Sequence, residues 1–426
     1  MHLNLKRYQI FYGWWIVIAC FLIAVYTGGV IFFGFTAAFE PIAAEFGWSY
    51  AQVSIAASLR GMEMGLLAPL VGWLVDRWGP RRLMFAGSIF IGLGYMLLSR
   101  VNSIGIFYVA FVLIAIGTSN FTSTVKMTAV VNWFRKRVGI ATGIVQSGFA
   151  VGGLFVPLVA LLIDTVGWRT AMVIFSLIIW VIGLPLSLIV RHKPEQYGYL
   201  PDGEVNSSVA LAKDLAPLPG AEVSIGVGQA LKSRTFWHIA VAFICNTMVI
   251  SAIMTHVMPY LSSIGITRSL SSLLASALPM VSISGRLFSG WLGDRLGRKR
   301  IAVVDFALMS LGLLFFSYLG VETIWLAVPF LIFYGLGWGG NSTIKITLMR
   351  EYFGRAQFGT IYGFMVGLWM VGHMIGAPLA GWVYDTWSSY RGIWLVFTAL
   401  NVAAIGILLT IPPLSNTNQM AGKPKA

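Results

Sequence analysis

The string GWLVDRWGPRR at Gly72 to Arg82 returns as GWLGDRLGRKR at Gly290 to Arg300, shifted by 218 residues. A second echo, STVKMT from Ser123 to Thr128 against STIKIT from Ser342 to Thr347, lies 219 residues apart. Two unrelated strings that keep one spacing mark a duplicated plan, so the chain is expected to fold as two like halves. Each copy of the first string follows a long apolar segment and opens into a cluster of basic residues, which places both where a helix leaves an apolar layer on the same side.

Of the 426 residues, 58% are hydrophobic and 10% charged, a balance outside that of soluble domains. A hydrocarbon layer of roughly 30 Å needs about 20 mostly apolar residues per helical crossing. Twelve such spans are expected: 12–38, 51–75, 83–100, 105–131, 138–163 and 168–190, then 236–262, 270–293, 300–318, 325–350, 356–384 and 391–412. All are expected to be helices, since open strand edges do not survive in lipid. The expected fold class is therefore an all-α membrane protein, with twelve transmembrane helices in two pseudo-symmetric halves of six. The expected division is 1–190, a cytoplasmic linker at 191–234 broken by proline and glycine (RHKPEQYGYLPDG, then LAPLPG), and 235–426. Ala230 to Phe236 is read as a short helix running on into span 7. No small-residue cleavage site follows the first apolar stretch, so that span is expected to be kept. Cys20 and Cys245 fall in separate spans and give no disulfide framework. Many of the 47 glycines lie in spans, as do Gly148, Gly152 and Gly153, or Gly335, Gly337, Gly339 and Gly340. They read as close helix packing, with a possible bend in span 10 around Trp338.

The net charge of +14 is a topology signal rather than a nucleic-acid signal. Of 29 lysines and arginines, 21 lie in the termini and even-numbered loops, four in odd-numbered loops and four within spans. The positive-inside bias then puts both termini and the linker in the cytoplasm.

Six spans, a long loop, six more spans and a G-xxx-D-R-x-G-x-[RK]-R string after spans 2 and 8 resemble the major facilitator superfamily over the whole chain. The resemblance implies the major facilitator fold, with a central site exposed alternately to either side as the halves rock. It also implies a gate made by Gly72, Asp76, Arg77, Gly79 and Arg82, and by Gly290, Asp294, Arg295, Gly297 and Arg300. In that gate the aspartates meet the starts of spans 11 and 5 and hold the cytoplasmic side closed. PEQYGYLPDG, the WF-RKR-xG ending of span 4 and Arg286 eight residues before Asp294 resemble bacterial carriers of the monocarboxylate and oxalate:formate antiporter type. The resemblance assigns Arg286 to a substrate carboxylate and Trp338 to an aromatic wall, in a multi-pass plasma membrane protein of the bacterial inner membrane. Trp369 stands where oxalate carriers place a lysine, and Ser282 where animal monocarboxylate carriers place an acid. Those departures argue against oxalate itself and against a copied proton mechanism.

Within the spans lie Arg60, Lys126, Arg286 and Lys345, against one acid at comparable depth, Glu63. A basic side chain at mid-membrane costs roughly 2.5 to 3.5 kcal/mol on insertion scales, so function is the first suspicion. Arg60 and Glu63, three apart on one helix, are expected to pair with each other. Arg286 has no acid within four residues, and its planar fork suits a carboxylate. Lys126 and Lys345 occupy matching positions, either snorkelling or attracting an anion. Ser123 and Ser342 share their faces, and Tyr26 and Trp369 are further wall candidates. Five charges facing one cavity would sum to +3 and favour an anion. Proton coupling requires a titrating group, and Glu63, His256, His373 and Asp305 are the candidates.

Neither a phosphate-binding loop nor an HExxH spacing is present, so no cofactor, metal or ATP is expected and the protein is read as a transporter, not an enzyme. The expected activity is secondary transport of a small organic anion, a monocarboxylate, by proton symport or anion exchange, by a monomer whose other partners are protons and the bilayer. Export of drugs or metabolites, or a sensor built on a carrier fold, are the competing readings.

Overall fold

In lipid a backbone must satisfy its hydrogen bonds within each segment, and the described residues are helical throughout the spans, with no strand among them. A computed structural model describes residues 11–48, 52, 65–121, 123–203 and 225–412. The first half holds α1 (Tyr12–Phe32), α2 (Ala68–Trp78), α3 (Pro80–Ser99), α4 (Ile104–Trp133), α5 (Val138–Val166) and α6 (Trp168–Ile189). The second holds α7 (Arg234–Ser263), α8 (Ser269–Leu296), α9 (Arg298–Ser317), α10 (Ile324–Phe353), α11 (Phe358–Trp387) and α12 (Arg391–Leu409). Eleven of these are long and apolar enough to cross a membrane; α2 is described only over its last part. From α3 onward each expected span matches a helix to within three residues at either end.

Span 1 departs from expectation. After a π-helical turn at Thr27–Phe33, a further helix, Phe35–Phe46, carries on well past residue 38. Glu40 and Glu45 end the apolar reading, but they do not end helical hydrogen bonding, which stops at Gly47 in left-handed conformation (φ 62°). Glu45 is taken up by α6, accepting from Trp168 Nε1 at 2.6 Å and pairing with Arg169 at 2.8 Å. The approach to span 7 also differs. Val227–Lys232 is a separate helix, because Ser233 is extended (ψ 138°) and its hydroxyl caps α7 by accepting from Phe236 N at 3.2 Å.

Small residues set the packing. Gly148 and Gly152 lie against the carbonyls of Phe21 and Val25, bringing α5 onto α1, and Gly337 and Gly339 bring α10 onto α9 and α8. The helix holding that glycine run is continuous from Ala327 to Phe353. A buried amide network also braces the second half. Asn341 donates to Asn246, Asn246 to Asn401 at 2.9 Å, and Asn401 to Phe306 O and Ser310 Oγ, each at 2.9 Å. It ties α10, α7, α12 and α9 through groups that would be costly to leave unpaired in an apolar interior. Cys20 and Cys245 are free thiols.

The halves meet along two seams, α2 with α11 and α5 with α8. Among the described residues, the hydrogen bonds that join them gather between mid-span and the face carrying the 191–203 linker, here called the linker face.

Candidate functional site

Gly79 and Gly297 have φ of 80° and 95°, a conformation that side chains disfavour, and each turns the chain from one helix into the next. Gly72 lies against the carbonyl of Gly359, and Gly290 and Gly139 lie against each other's carbonyls, so any Cβ there would strike backbone of the other half. That approach delivers the aspartates. Neither α5 nor α11 has a side-chain cap of its own at Arg137 or Gln357. Asp294 instead accepts from Gly139 N at 2.9 Å and Ile140 N at 3.2 Å, and Asp76 from Gly359 N at 3.0 Å and Thr360 N at 2.7 Å. Each half therefore caps a helix of the other, with the carboxylate at the positive end of the helix dipole.

The two copies are unequal. Asp294 pairs with Arg298 at 3.6 Å, and Arg298 also approaches Glu351 at 3.9 Å. At the place matching Arg298 the first copy has Pro80, and Asp76 takes the Thr360 hydroxyl at 2.7 Å. Among the described residues an arginine partner is thus found for the aspartate of the second copy only. Arg77 and Arg295 lie over Trp73 and Trp291, at 5.3 and 4.1 Å, while Arg82 and Arg300 are exposed.

Above the α5–α8 seam the candidate substrate residues fall into groups. Arg286 is 5% exposed; Nη1 donates to the Gln146 carbonyl across the seam, its guanidinium lies 5.8 Å from the Trp338 ring, and Nε is buried without an acceptor among the described residues. Lys345 feels the positive charge of Arg286 and places Nζ 5.0 Å from the centre of the Trp369 ring. Ser342 and Ser123 are joined through the Gln146 side chain, which accepts from Ser123 Oγ and donates to Ser342 O, both at 3.4 Å. Arg286, Lys345, Trp338, Trp369, Ser342 and Ser123 are thereby brought together. Lys126, 4% exposed, has Cys20 of α1 as its electrostatic neighbour. Tyr26 is directed elsewhere: its hydroxyl donates to Phe175 O at 2.8 Å, binding α1 to α6 within the first half.

Of the proton-coupling candidates, Glu63 lies outside the described residues, as does its expected partner Arg60. His256 stands apart from the cations, with both ring nitrogens engaged by Ala377 O at 2.9 Å and the Tyr390 hydroxyl at 3.1 Å. Asp305 is buried behind α10, with Oδ1 accepting from Ser289 Oγ at 2.7 Å and Oδ2 lacking a donor among the described residues. His373, one turn beyond Trp369, is within the field of Lys345.

Two functional features escaped the sequence reading. Gln146 was passed over because an uncharged amide does not register in a count of charges; its signal was being an amide inside an apolar span. The other is the use made of the linker opening. Arg191 lies between the rings of Tyr12 and Tyr197, at 4.1 and 4.3 Å, and the carbonyls of Arg191 and His192 accept from Trp133 Nε1 and Asn132 Nδ2, both at 3.1 Å. Asp202 accepts from the backbone of Arg135 at 3.0 Å and Lys136 at 2.7 Å. Burial and the charge of Lys193 hold His192 down at about 4, so this anchor does not change charge near neutral pH. Glu195, fixed in this way to the first half, pairs with Arg355 of the second, which also donates to Asn132 O at 3.2 Å. Both side chains of that pair are partly exposed, so it is worth no more than about 1 kcal/mol. Arg355→Ala is expected to speed trypsin cleavage at Arg191 by up to about fivefold, read by limited proteolysis, with Glu195→Gln giving a smaller increase. Unchanged cleavage in both variants would remove the linker's part in closure.

The family model for the Major Facilitator Superfamily matches residues 15–372 and again 262–425. Monocarboxylate transporter 13 of Bos taurus is 24% identical over 422 residues, covering 97% of this chain and 92% of the relative. The oxalate:formate antiporter of Oxalobacter formigenes is 23% identical over 354 residues, covering 82% and 79%. Among solved structures, a proton:xylose symporter superposes with a TM-score of 0.75 at 13% identity, covering 96% of this chain and 99% of the other, a likeness of fold alone.

Proposed function

Because the chain belongs to the major facilitator superfamily, we propose that it is a secondary active carrier of a small organic anion, a monocarboxylate, working by alternating access with proton symport or anion exchange. The observation that carries this reading is the pair of like charges, buried Arg286 and half-buried Lys345, backed by Trp338 and Trp369 and touching no carboxylate among the described residues. Two cations in a low-dielectric setting repel each other, and an anion between them relieves that repulsion. A planar carboxylate suits the guanidinium fork, while the tryptophan faces accept a short apolar tail. The printed names of the relatives, monocarboxylate transporter and oxalate:formate antiporter, support the same class of cargo.

In this reading the basic linker face is cytoplasmic, the candidate site opens to the outside, and Asp76 and Asp294 hold the inner gate shut. The test is uptake of labelled lactate, pyruvate, acetate and dicarboxylates into proteoliposomes. Saturable monocarboxylate flux is expected, accelerated either by an inward proton gradient or by preloaded carboxylate. Flux of none of these acids, together with export of amphipathic compounds, would replace the cargo assigned here.

A further inference from the structure

At the linker end of the α5–α8 seam lies a cavity of about 370 Å³, walled by Trp14, Lys136 and Arg137 of the first half and by Trp291, Asp294 and Arg295 of the second. That volume is within the roughly 300 to 1,000 Å³ of small-ligand sites. Its one carboxylate is already answered by the Gly139 and Ile140 amides and by Arg298. The cations are not balanced in the same way: neither Arg137 nor Arg295 has a carboxylate partner among the described residues, and the Arg295 guanidinium carbon lies 4.1 Å from the centre of the Trp291 ring. The opposite seam differs, for there Arg355 meets the carboxylate of Glu195 from the linker. One seam thus carries its own anion, whereas the other presents a cationic recess.

Depth identifies the occupant. Val138 opens α5 and Leu296 closes α8, so the recess sits where the helices leave the apolar layer, the level at which tryptophans settle against headgroups. We propose that this cavity binds the phosphate headgroup of an anionic phospholipid, with Arg137, Arg295 and Lys136 around the phosphate and the glycerol part against Trp14 and Trp291. Because both halves supply its walls, a lipid seated there favours the closed linker face by its preferential binding to that state. The inference stands apart from the identity of the cargo.

The test is native mass spectrometry of the purified full-length protein with equimolar phosphatidylglycerol and phosphatidylcholine, alongside sn-glycerol 3-phosphate as a soluble phosphate ester. Wild type is expected to retain phosphatidylglycerol over phosphatidylcholine by about tenfold or more, as charge-assisted contacts imply. Arg137→Gln/Arg295→Gln is expected to reduce that preference to under about threefold. Arg81→Gln/Lys232→Gln, which neutralises two exposed cations elsewhere, is expected to keep it. Equal losses in the two double variants would reduce the effect to overall charge and overturn the site. Equal retention of the soluble ester would overturn its assignment to lipid. Both double variants change only exposed side chains, and their thermal stability provides the check on folding.

Discussion

Arg286→Met is expected to lower carboxylate uptake by about 10- to 150-fold in kcat/KM, the equivalent of the roughly 1.5 to 3 kcal/mol that a hydrogen bond to a charged group contributes. Thermal stability is expected to stay level or rise. The two effects part because Arg286 is a buried charge with one backbone acceptor, an unaccepted Nε and no acid beside it among the described residues. A cation placed at that depth costs roughly 2.5 to 3.5 kcal/mol, which an uncharged methionine does not incur. A residue kept for packing would behave in the opposite way, losing stability and activity together. Arg286→Lys keeps the charge without the planar fork, so it is expected to recover only part of the uptake. A carrier that transports normally with methionine at this position would remove Arg286 from the substrate site, and a carrier that unfolds would make it structural. Uptake assays paired with thermal unfolding of the same preparations separate the three outcomes.

The sequence showed what depends on hydropathy, spacing and charge. Apolar length located the helices because each crossing must satisfy its own backbone, and the duplicated string located two turns and two seams because glycine at Gly79 and Gly297, or at Gly72 and Gly290, answers a geometric need visible in one dimension. Arg286 and Lys345 were legible because charge within an apolar run is conspicuous. What stayed hidden was pairing across the fold. Nothing near Asp294 in sequence says that it caps a helix starting 156 residues earlier, and the tyrosine expected in the cavity wall, Tyr26, is bound to a carbonyl in α6 instead. Neutral amides were the other blind spot. Gln146 and the Asn246, Asn341 and Asn401 network carry no charge to flag them, and only three-dimensional placement shows that they bridge helices.

That cross-half capping makes the second large effect one of conformational balance. When the linker face opens, α5 and α11 each lose the only side-chain cap found for them among the described residues, and the amides of Gly139, Ile140, Gly359 and Thr360 must turn to water. Loss of a cap costs about 0.5 to 2 kcal/mol. Asp76→Ala and Asp294→Ala are therefore each expected to shift the balance toward the open linker face by about 3- to 30-fold, and the double variant by the product if the seams act independently. Hydrogen exchange provides the reading: Asp294→Ala should accelerate exchange at the start of α5, and Asp76→Ala at the start of α11. Thr360→Val removes one of the three bonds to Asp76 without touching the backbone amides, so its effect is expected to lie near threefold, in line with about 0.5 to 1.5 kcal/mol for one hydrogen bond. Transport should slow as well, since a carrier that rests open on one side presents its site to the other less often. If each alanine variant left exchange at both helix starts unchanged, the aspartates would be surface charges rather than caps, and closure would rest on the glycine contacts and the cross-half bonds of Arg286 and Arg355.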